Sequence, residues 1–403
     1  MVPLDEAQAY VRAQCPNPTV ASVLLSRSLG HVLAIDVEAP ENVPRFDNTA
    51  MDGFAVRAAD TTGAPIRLRV VGTLSAGTTL DLKIERGEAA RIMTGAPLPA
   101  GADAIVMLEQ TSQLARSADG SGEVEVEVSV PVGNHVRFTG EDLKFGQTVF
   151  LAGTVITPGH IGVLASLGQT QVRVFARPRV GVLSTGDELV ADSRSLSPGQ
   201  IRDSNRPGLL ALVAASGFDP VDLGLVRDNE SDIEDALMKG VEDCDAILTS
   251  GGVSVGDFDY VKIVLDRIGE MRWMQVAIRP SKPLAFGTID DVPVFGLPGN
   301  PVSSMVSFEL FARPGLRAMA GHTVLDRRSV QAIAEGPLDR RPDGKIHFVR
   351  VTVEYRDGCY FVASAGGQGS HQLSAMAGAD GLAILPDGSG VGVGDVVAVL
   401  LLD

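Results

Sequence analysis

The chain is poor in the residues that define several protein classes. It has only three cysteines in 403 residues, Cys15, Cys244 and Cys359. They are odd in number, far apart and without a Cys-x-x-Cys pair, so neither a disulfide framework nor a thiolate zinc knuckle organises the fold. Packed, unpaired thiols in a reducing compartment are expected instead. The six histidines, at 31, 135, 160, 322, 347 and 371, never stand at the short spacing that puts two on one helix face, which argues against a histidine-based zinc site. No stretch approaches the ~18 apolar residues a membrane helix needs. The N-terminus carries Asp5 and Glu6 and no apolar signal core, so a cytoplasmic protein without membrane attachment is expected. Basic residues are also scarce: 34 Lys plus Arg against 50 Asp plus Glu leave a formal charge of −16. Nucleic-acid binding relies on a basic surface that neutralises phosphates, so no nucleic-acid partner is expected.

What the chain does have is ordinary globular composition, 45% hydrophobic and 21% charged, enough to bury real cores. Its length corresponds to roughly two to four domains. Residues 4–30 show helical spacing and end at Gly30, predicting a helical opening segment. From Pro40 the texture changes to short β-rich runs at 67–71, 88–93 and 104–109, separated by Gly and Pro turns. Residues 123–130 alternate between Val and acid or Ser after a turn at 119–122, the pattern of a half-exposed strand. Helical spacing returns around 158–167 within residues 141–177, so the β unit reads as an insertion in a split helical region.

Residues 178–323 carry the βαβ rhythm of a parallel sheet, with strands read at 179–183, 221–226, 246–249 and 292–297. The helices between them have their own signals. Pro207 lies near one start and Gly217 after its end; Ser231 and Glu234 form a potential capping box. A third helix is read from about Phe258 to Ile268, stopping at Gly269, and a fourth from Pro301 to Gly321. The remaining residues, with strand patterns at 345–355, 360–363 and 396–401, read as a separate small β domain.

Ligands of open α/β sheets bind beyond the carboxyl ends of the strands. Here the four exits carry Asp187 and Glu188, then Asp228, then the loop Ser250, Gly251, Gly252 through Gly256 with Asp257 and Asp259 beyond it, then Pro298, Gly299, Asn300 and Pro301. Carboxylates gathered on one sheet edge repel one another unless a cation compensates, and Mg²⁺ commonly bridges one or two carboxylates to a substrate phosphate. A metal-assisted phosphate site is therefore expected. The 251–256 loop precedes a helix and could hold an anion on its backbone amides, although it has neither a P-loop ending nor a dinucleotide fingerprint. Arg279 and Lys282 flank Pro280 and supply two cations for phosphate or oxyanion. Residues 252–256 also match the Gly-x-Ser-x-Gly elbow of serine hydrolases. His322, His347 and His371 lie at or beyond the end of the α/β domain, however, and none is well placed to complete a triad on this sheet.

Several longer strings stand in one order along almost the whole chain: Ser-Thr-Gly-Asp-Glu-Leu at 184–189, Asp-Ser-Asn-Arg at 203–206, Ser-Gly-Gly-Val-Ser-Val-Gly-Asp at 250–257, and Leu-Pro-Gly-Asn-Pro-Val-Ser at 297–303. The N-terminal half adds Arg-Phe-Asp-Asn-Thr-Ala-Met-Asp-Gly-Phe-Ala at 45–55, Arg-Ile-Met-Thr-Gly-Ala at 91–96 and Gly-Glu-Asp at 140–142, and the C-terminal part adds Gly-Ser-His-Gln-Leu-Ser at 369–374. Together they resemble the molybdopterin molybdenumtransferases, the MoeA family to which the gephyrin E domain is related. The resemblance implies a multidomain α/β plus β architecture: a split helical or linker domain (1–43 and 140–177), an inserted β domain (44–139), a doubly wound α/β molybdopterin-binding domain (178–323) and a C-terminal β-barrel-like domain (324–403).

The resemblance further implies an elongated homodimer that inserts molybdate into adenylylated molybdopterin, releasing AMP in a step dependent on Mg²⁺ or another divalent metal. It assigns Asp52, Asp142, Glu188, Asp228 and Asp259 to catalysis and Asp187, Glu188 and Asp228 to the metal. Thr94, Arg137, Ser250, Gly251, Gly252, Arg279, Lys282, Pro298, Pro301 and Ser370 are assigned to substrate. Asp52, Thr94, Arg137 and Asp142 would face the cleft from the partner subunit. A molybdopterin adenylyltransferase and downstream molybdoenzyme maturation factors are the implied partners.

The chain departs from the family at one place. Arg279-Pro280-Ser281-Lys282-Pro283 stands where Lys-Pro-Gly-Lys-Pro is common, and Gln275 stands where a Lys is often found. The alternative this leaves open is a catalytically altered binding or scaffold paralogue that keeps the pterin-binding fold without turnover. Adenylylation of molybdopterin by a related α/β domain is a poorer match, because that activity typically lacks the other three domains.

Overall fold

The computed structural model describes residues 1–77, 81–116, 122–252 and 260–402. They gather into two units, Met1–Val23 with Gly30–Ala34 and Arg173–Asp403, and Leu24–Leu29 with Ile35–Val172.

The first unit is built on a six-stranded sheet in the order Asp219–Val226, Arg179–Thr185, Ala246–Ser250, Val292–Leu297, Pro283–Ile289, Glu270–Gln275. The four strands read from sequence are all present, and they pair in parallel. Period-two burial explains them: Val180, Val182, Leu248 and Phe295 enter one core, while Leu183, Ile247 and Val294 enter the other. Helix Asn205–Ala215 covers the first face through Leu209 and Val213, and helices Glu230–Asp243 and Tyr260–Ile268 cover the second through Ile233, Leu237, Val264 and Leu265. The sheet is thus doubly wound.

Beyond the four parallel strands, the sheet has two more that were not read from sequence. Pro283–Ile289 and Glu270–Gln275 add two antiparallel strands at one edge. The hairpin into Val292 turns on Asp290 and Asp291, both at positive φ (47° and 66°), as a two-residue hairpin requires. An Asp-Asp pair is a weaker hairpin signal than Asn-Gly, which hid these strands from the pattern.

Three helix readings also change. The opening helix runs only from Leu4 to Gln14 and stops ahead of Pro16 and Pro18, and Val20–Leu24 is a strand. Its Ala7 and Val11 are buried in the α/β core. Helix Glu230–Asp243 is capped by Asn229, whose side chain accepts from the Asp232 amide at 2.9 Å, rather than by Ser231. The helix expected from Pro301 to Gly321 is interrupted by a π-helical turn at Phe308–Ala312, between Pro301–Ser307 and Arg313–Met319. Pro314 has no N–H to donate to the Leu310 carbonyl, and that carbonyl instead accepts from Gln8 Nε2 at 3.0 Å.

The C-terminal strands Ser329–Ala334, Val396–Leu401, Gly381–Leu385, Ile346–Arg356 and Cys359–Ser364 pair around a closed ring, with Val351, Val362, Ala383 and Val399 inside it. The closed barrel matches the β-barrel-like expectation.

The second unit holds a six-stranded sheet in the order Ala104–Met107, Gly53–Val56, Glu88–Ile92, Ile66–Leu74, Gly122–Val126, Thr111–Arg116. Val124 and Val126 are buried while Glu125 pairs outward with Arg67 at 3.4 Å, so the alternation at 123–126 is a half-exposed strand; the preceding turn falls mostly outside the described residues. The helical spacing within 141–177 resolves into one helix, Pro158–Ser166, flanked by strands Thr148–Phe150 and Gln171–Phe175. All three cysteines are free, as expected, but Cys359 is exposed rather than packed. Among the described residues no helix is long and apolar enough to cross a membrane.

Candidate active site

The carboxyl ends of the four parallel strands open into a cleft of about 790 Å³ within the first unit. Glu188, Asp228, Ser250, Gly251, Gly252, Pro298 and Pro301, all singled out from sequence, line it. The exits are stitched to one another by backbone. The Gly251 amide donates to Leu297 O at 3.1 Å and the Gly186 amide to Val226 O at 3.3 Å. Gly186 has φ +149°, a backbone conformation that other residues rarely adopt, and a Cβ there would stand 2.7 Å from Glu188 Oε2, so that carboxylate would have to shift. Gly251, at φ +100°, lets the loop leave its strand in a conformation that side chains resist.

Asp187 and Asp228 are held as a reciprocal pair. The Asp187 amide donates to Asp228 Oδ2 and the Asp228 amide donates to Asp187 Oδ1, each at 3.3 Å. Burial pushes the Asp228 carboxyl above its ordinary range; the Asp187 amide pulls it back, and the charges of Asp187 and Glu188 push it further up. The site is thus an acidic edge; Arg202 also lines the cleft, its guanidinium donating to the Asp192 and Arg194 carbonyls. The donors of the acidic edge are hard oxygens, the kind Mg²⁺ takes. Among the described residues no three His, Cys, Asp or Glu side chains gather into a set that holds a metal alone, so Asp187, Glu188 and Asp228 form no protein-only cage. Mg²⁺ commonly binds through one or two carboxylates completed by water and substrate phosphate, and the residues fit that arrangement. Asp257 and Asp259, together with Ser254 of the Gly-x-Ser-x-Gly match, lie outside the described residues.

The cleft floor rests on residues to which motif reading gave no role. Asp203, with its side chain 1% exposed, accepts from Ser184 Oγ at 3.2 Å and pairs with Arg206 Nε at 3.0 Å. Asn205 Nδ2 donates to Ser250 Oγ at 2.8 Å and to Gly299 O at 2.6 Å, joining two of the four exits. The Asp-Ser-Asn-Arg string was the visible signal. Apart from the internal Asp203–Arg206 pair, its partners Ser184, Ser250 and Gly299 lie far away in sequence, so its purpose was not.

Two further residues come from the C-terminal part. His371 lines the cleft; Ser254, the serine of the elbow match, lies outside the described residues, so no triad is read from this placement. The segment carrying it folds back so that Ser370 O accepts from the Val302 amide at 3.1 Å, and Ser370 is thereby placed beside the helix that starts at Pro301. Arg350, fully buried, donates through Nη2 to Gly367 O at 2.7 Å and to Gly369 O at 3.2 Å, and so supports the same segment.

Arg279 and Lys282 are exposed and are not among the cleft-lining residues, although Pro283, next to Lys282, is. In the second unit, Asp52 and Thr94 are brought together: Asp52 Oδ1 accepts from the Thr94 amide at 2.7 Å and from its hydroxyl at 2.8 Å. These bonds, with Arg91 nearby, hold the Asp52 carboxyl below its ordinary range. Arg137 sits on a short strand opposite Asn48, and the amide of exposed Asp142 donates to Val43 O at 3.0 Å.

Comparison with known proteins points to one family. Family models match three successive regions: the MoeA N-terminal region (domain I and II) over residues 2–168, a probable molybdopterin binding domain over 181–318, and the MoeA C-terminal region (domain IV) over 339–402. A molybdopterin molybdenumtransferase of Haemophilus influenzae is 36% identical over 99% of this chain and 98% of its own, and one of Bacillus subtilis is 34% identical over 100% and 94%. A crystal structure of a molybdopterin biosynthesis MoeA protein from Pyrococcus horikoshii superposes with a TM-score of 0.81, at 29% identity, covering 100% of both chains. With full-length relatives at this identity, and with the fold and strand exits its motifs imply, the chain belongs to the MoeA family of molybdopterin molybdenumtransferases.

Proposed function

We propose that this protein inserts molybdate into adenylylated molybdopterin, with metal-dependent cleavage of the phosphoanhydride and release of AMP. The observation that carries the reading is the convergence of four strand exits on one cleft lined by Glu188 and Asp228, with Asp187 hydrogen-bonded to Asp228. Asp187, Glu188 and Asp228 would hold Mg²⁺ together with substrate phosphate, and the ion when bound neutralises charge on the phosphoanhydride. The chain's own residues do the positioning. Asn205 fixes the Ser250 and Gly299 loops relative to each other, Gly251 and Gly252 let the backbone approach the ligand, and Pro298 and Pro301 stiffen the opposite wall. Arg279 and Lys282 offset oxyanion charge. The active form is proposed to be a homodimer, with Asp52, Thr94, Arg137 and Asp142 contributed by a second copy.

The test is incubation with adenylylated molybdopterin, Mg²⁺ and molybdate, followed by assay of AMP and of active cofactor. Glu188→Gln keeps the shape and removes one charge; it is expected to slow AMP release by on the order of 10²-fold with folding intact. An unchanged rate would move the metal site away from this cleft. AMP release without active cofactor would favour the catalytically altered paralogue.

A further inference from the structure

The loop that carries Arg279 and Lys282 leaves the edge strand Glu270–Gln275 and returns in Pro283–Ile289. Its base is closed by the Val276 amide donating to Lys282 O at 2.7 Å. Its first arm is held by the barrel: Ile278 and Arg279 pair with Ile346 and His347, and the Ile346 amide donates to Ala277 O at 2.9 Å. The second arm has a different anchor. Ser281 is buried, 4% exposed, and its hydroxyl is hydrogen-bonded to that of Ser307, which is 0% exposed. Ser307 ends the helix Pro301–Ser307, whose first residue lines the cleft.

Ser281 also sits at φ +76°, a left-handed conformation that a residue with a Cβ adopts only when its surroundings impose it. Glycine would take this backbone without strain and would bring no anchor. The serine accepts the strain and gains a buried hydroxyl contact with a helix that belongs to the cleft.

We infer that the Ser281–Ser307 hydroxyl pair locks the cation-bearing loop to the cleft helix, making Ser281 a positioning residue that sets where Arg279 and Lys282 stand for an oxyanion. The inference rests on the proposed anion role of that loop. In this chain the lock compensates in geometry for the cation absent at Gln275: fewer charges are held in a fixed place.

Ser281→Gly, Ser281→Ala and Ser307→Ala separate strain from anchoring. Ser281→Ala keeps the left-handed backbone and loses the bond, so it is expected to have the lowest Tm of the three. In Ser281→Gly and Ser307→Ala, amide hydrogen exchange at Arg279, Ser281 or the glycine replacing it, and Lys282 is expected to speed up by about tenfold, since the loop then opens without the rest of the sheet. The molybdate concentration for half-maximal insertion should rise about threefold to tenfold while kcat stays within about twofold, a split that general destabilisation does not produce. Unchanged exchange in both variants overturns the lock. Faster exchange with unchanged molybdate dependence, where Lys282→Ala does raise it, overturns the positioning role. If Lys282→Ala also leaves molybdate dependence unchanged, the anion reading of the loop falls and the positioning claim falls with it, while exchange reports independently on whether the hydroxyl lock exists.

Discussion

Among individual residues, Asp228 is the one whose environment makes the sharpest demand. Its folded-state pKa is raised by burial and by the charges of Asp187 and Glu188. A raised carboxylate pKa means that the fold favours the neutral form: the stability it contributes is complete below the ordinary value of 3.8 and is lost as pH rises through the folded value. At neutral pH the ionised Asp228 therefore burdens the fold. Asp228→Asn is expected to raise Tm at pH 7, with the gain closing as pH falls below the ordinary carboxylate range, and to abolish most AMP release. Thermal melts of both proteins across pH measure the first part. Adding Mg²⁺ should stabilise the parent more than the variant, because a cation relieves the same repulsion. Equal melting curves at pH 7 would show that the acidic edge is already compensated. This cost for function was partly legible beforehand, since Asp187, Glu188 and Asp228 follow recognisable strands. Asn205 and Arg350 were not, because their partners Ser250, Gly299 and Gly367 are ones that spacing does not reveal, and the i,i+3 pair Asp203–Arg206 shows its place only through Ser184 and Asp222.

At the level of elements, helix Glu230–Asp243 takes a different cap from the one read in the sequence. Ser231 with Glu234 matches the capping pattern, but the chain leaves its strand through Arg227 and Asp228, and Asn229 is the residue in extended conformation (φ −139°, ψ 148°) where a cap must be. Its side chain accepts from the Asp232 amide and donates to the Asp232 carboxylate at 2.7 Å. Asn229→Ala is expected to cost about 1 kcal/mol of unfolding free energy, and Ser231→Ala about 0.5 kcal/mol or less, both measured by denaturant titration. The reverse order would restore the pattern-based cap. The broken helix after Pro301 follows the same logic. Pro314 is visible in the sequence, but the donor that satisfies the freed Leu310 carbonyl is Gln8, 302 positions away.

For the molecule as a whole, the residues expected to act together fall into two units, with Asp52, Thr94, Arg137 and Asp142 in one and the acidic cleft in the other. A homodimer is expected, giving by light scattering about twice the 42.2 kDa of one chain. A fully active monomer would sink the shared-cleft proposal.

The sequence alone determined whatever depends on a residue's own neighbours along the chain. A strand buried on both faces, such as Ala246–Ser250, shows as a short apolar run, here Ala246, Ile247 and Leu248 ahead of the polar exit at Thr249 and Ser250; an amphipathic helix must repeat every 3.6 residues; and the loops after such strands carry the chemistry the sheet displays. Tertiary structure alone decided which segments meet. The two antiparallel edge strands, the closure of the C-terminal barrel, the return of His371 to the cleft and the Asn205 bond to Gly299, 94 positions on, all depend on contacts between segments whose local patterns are silent about each other. Periodicity reports that a face is buried. It carries no information about which other face buries it, and in this protein the cleft is assembled from those distant pairings.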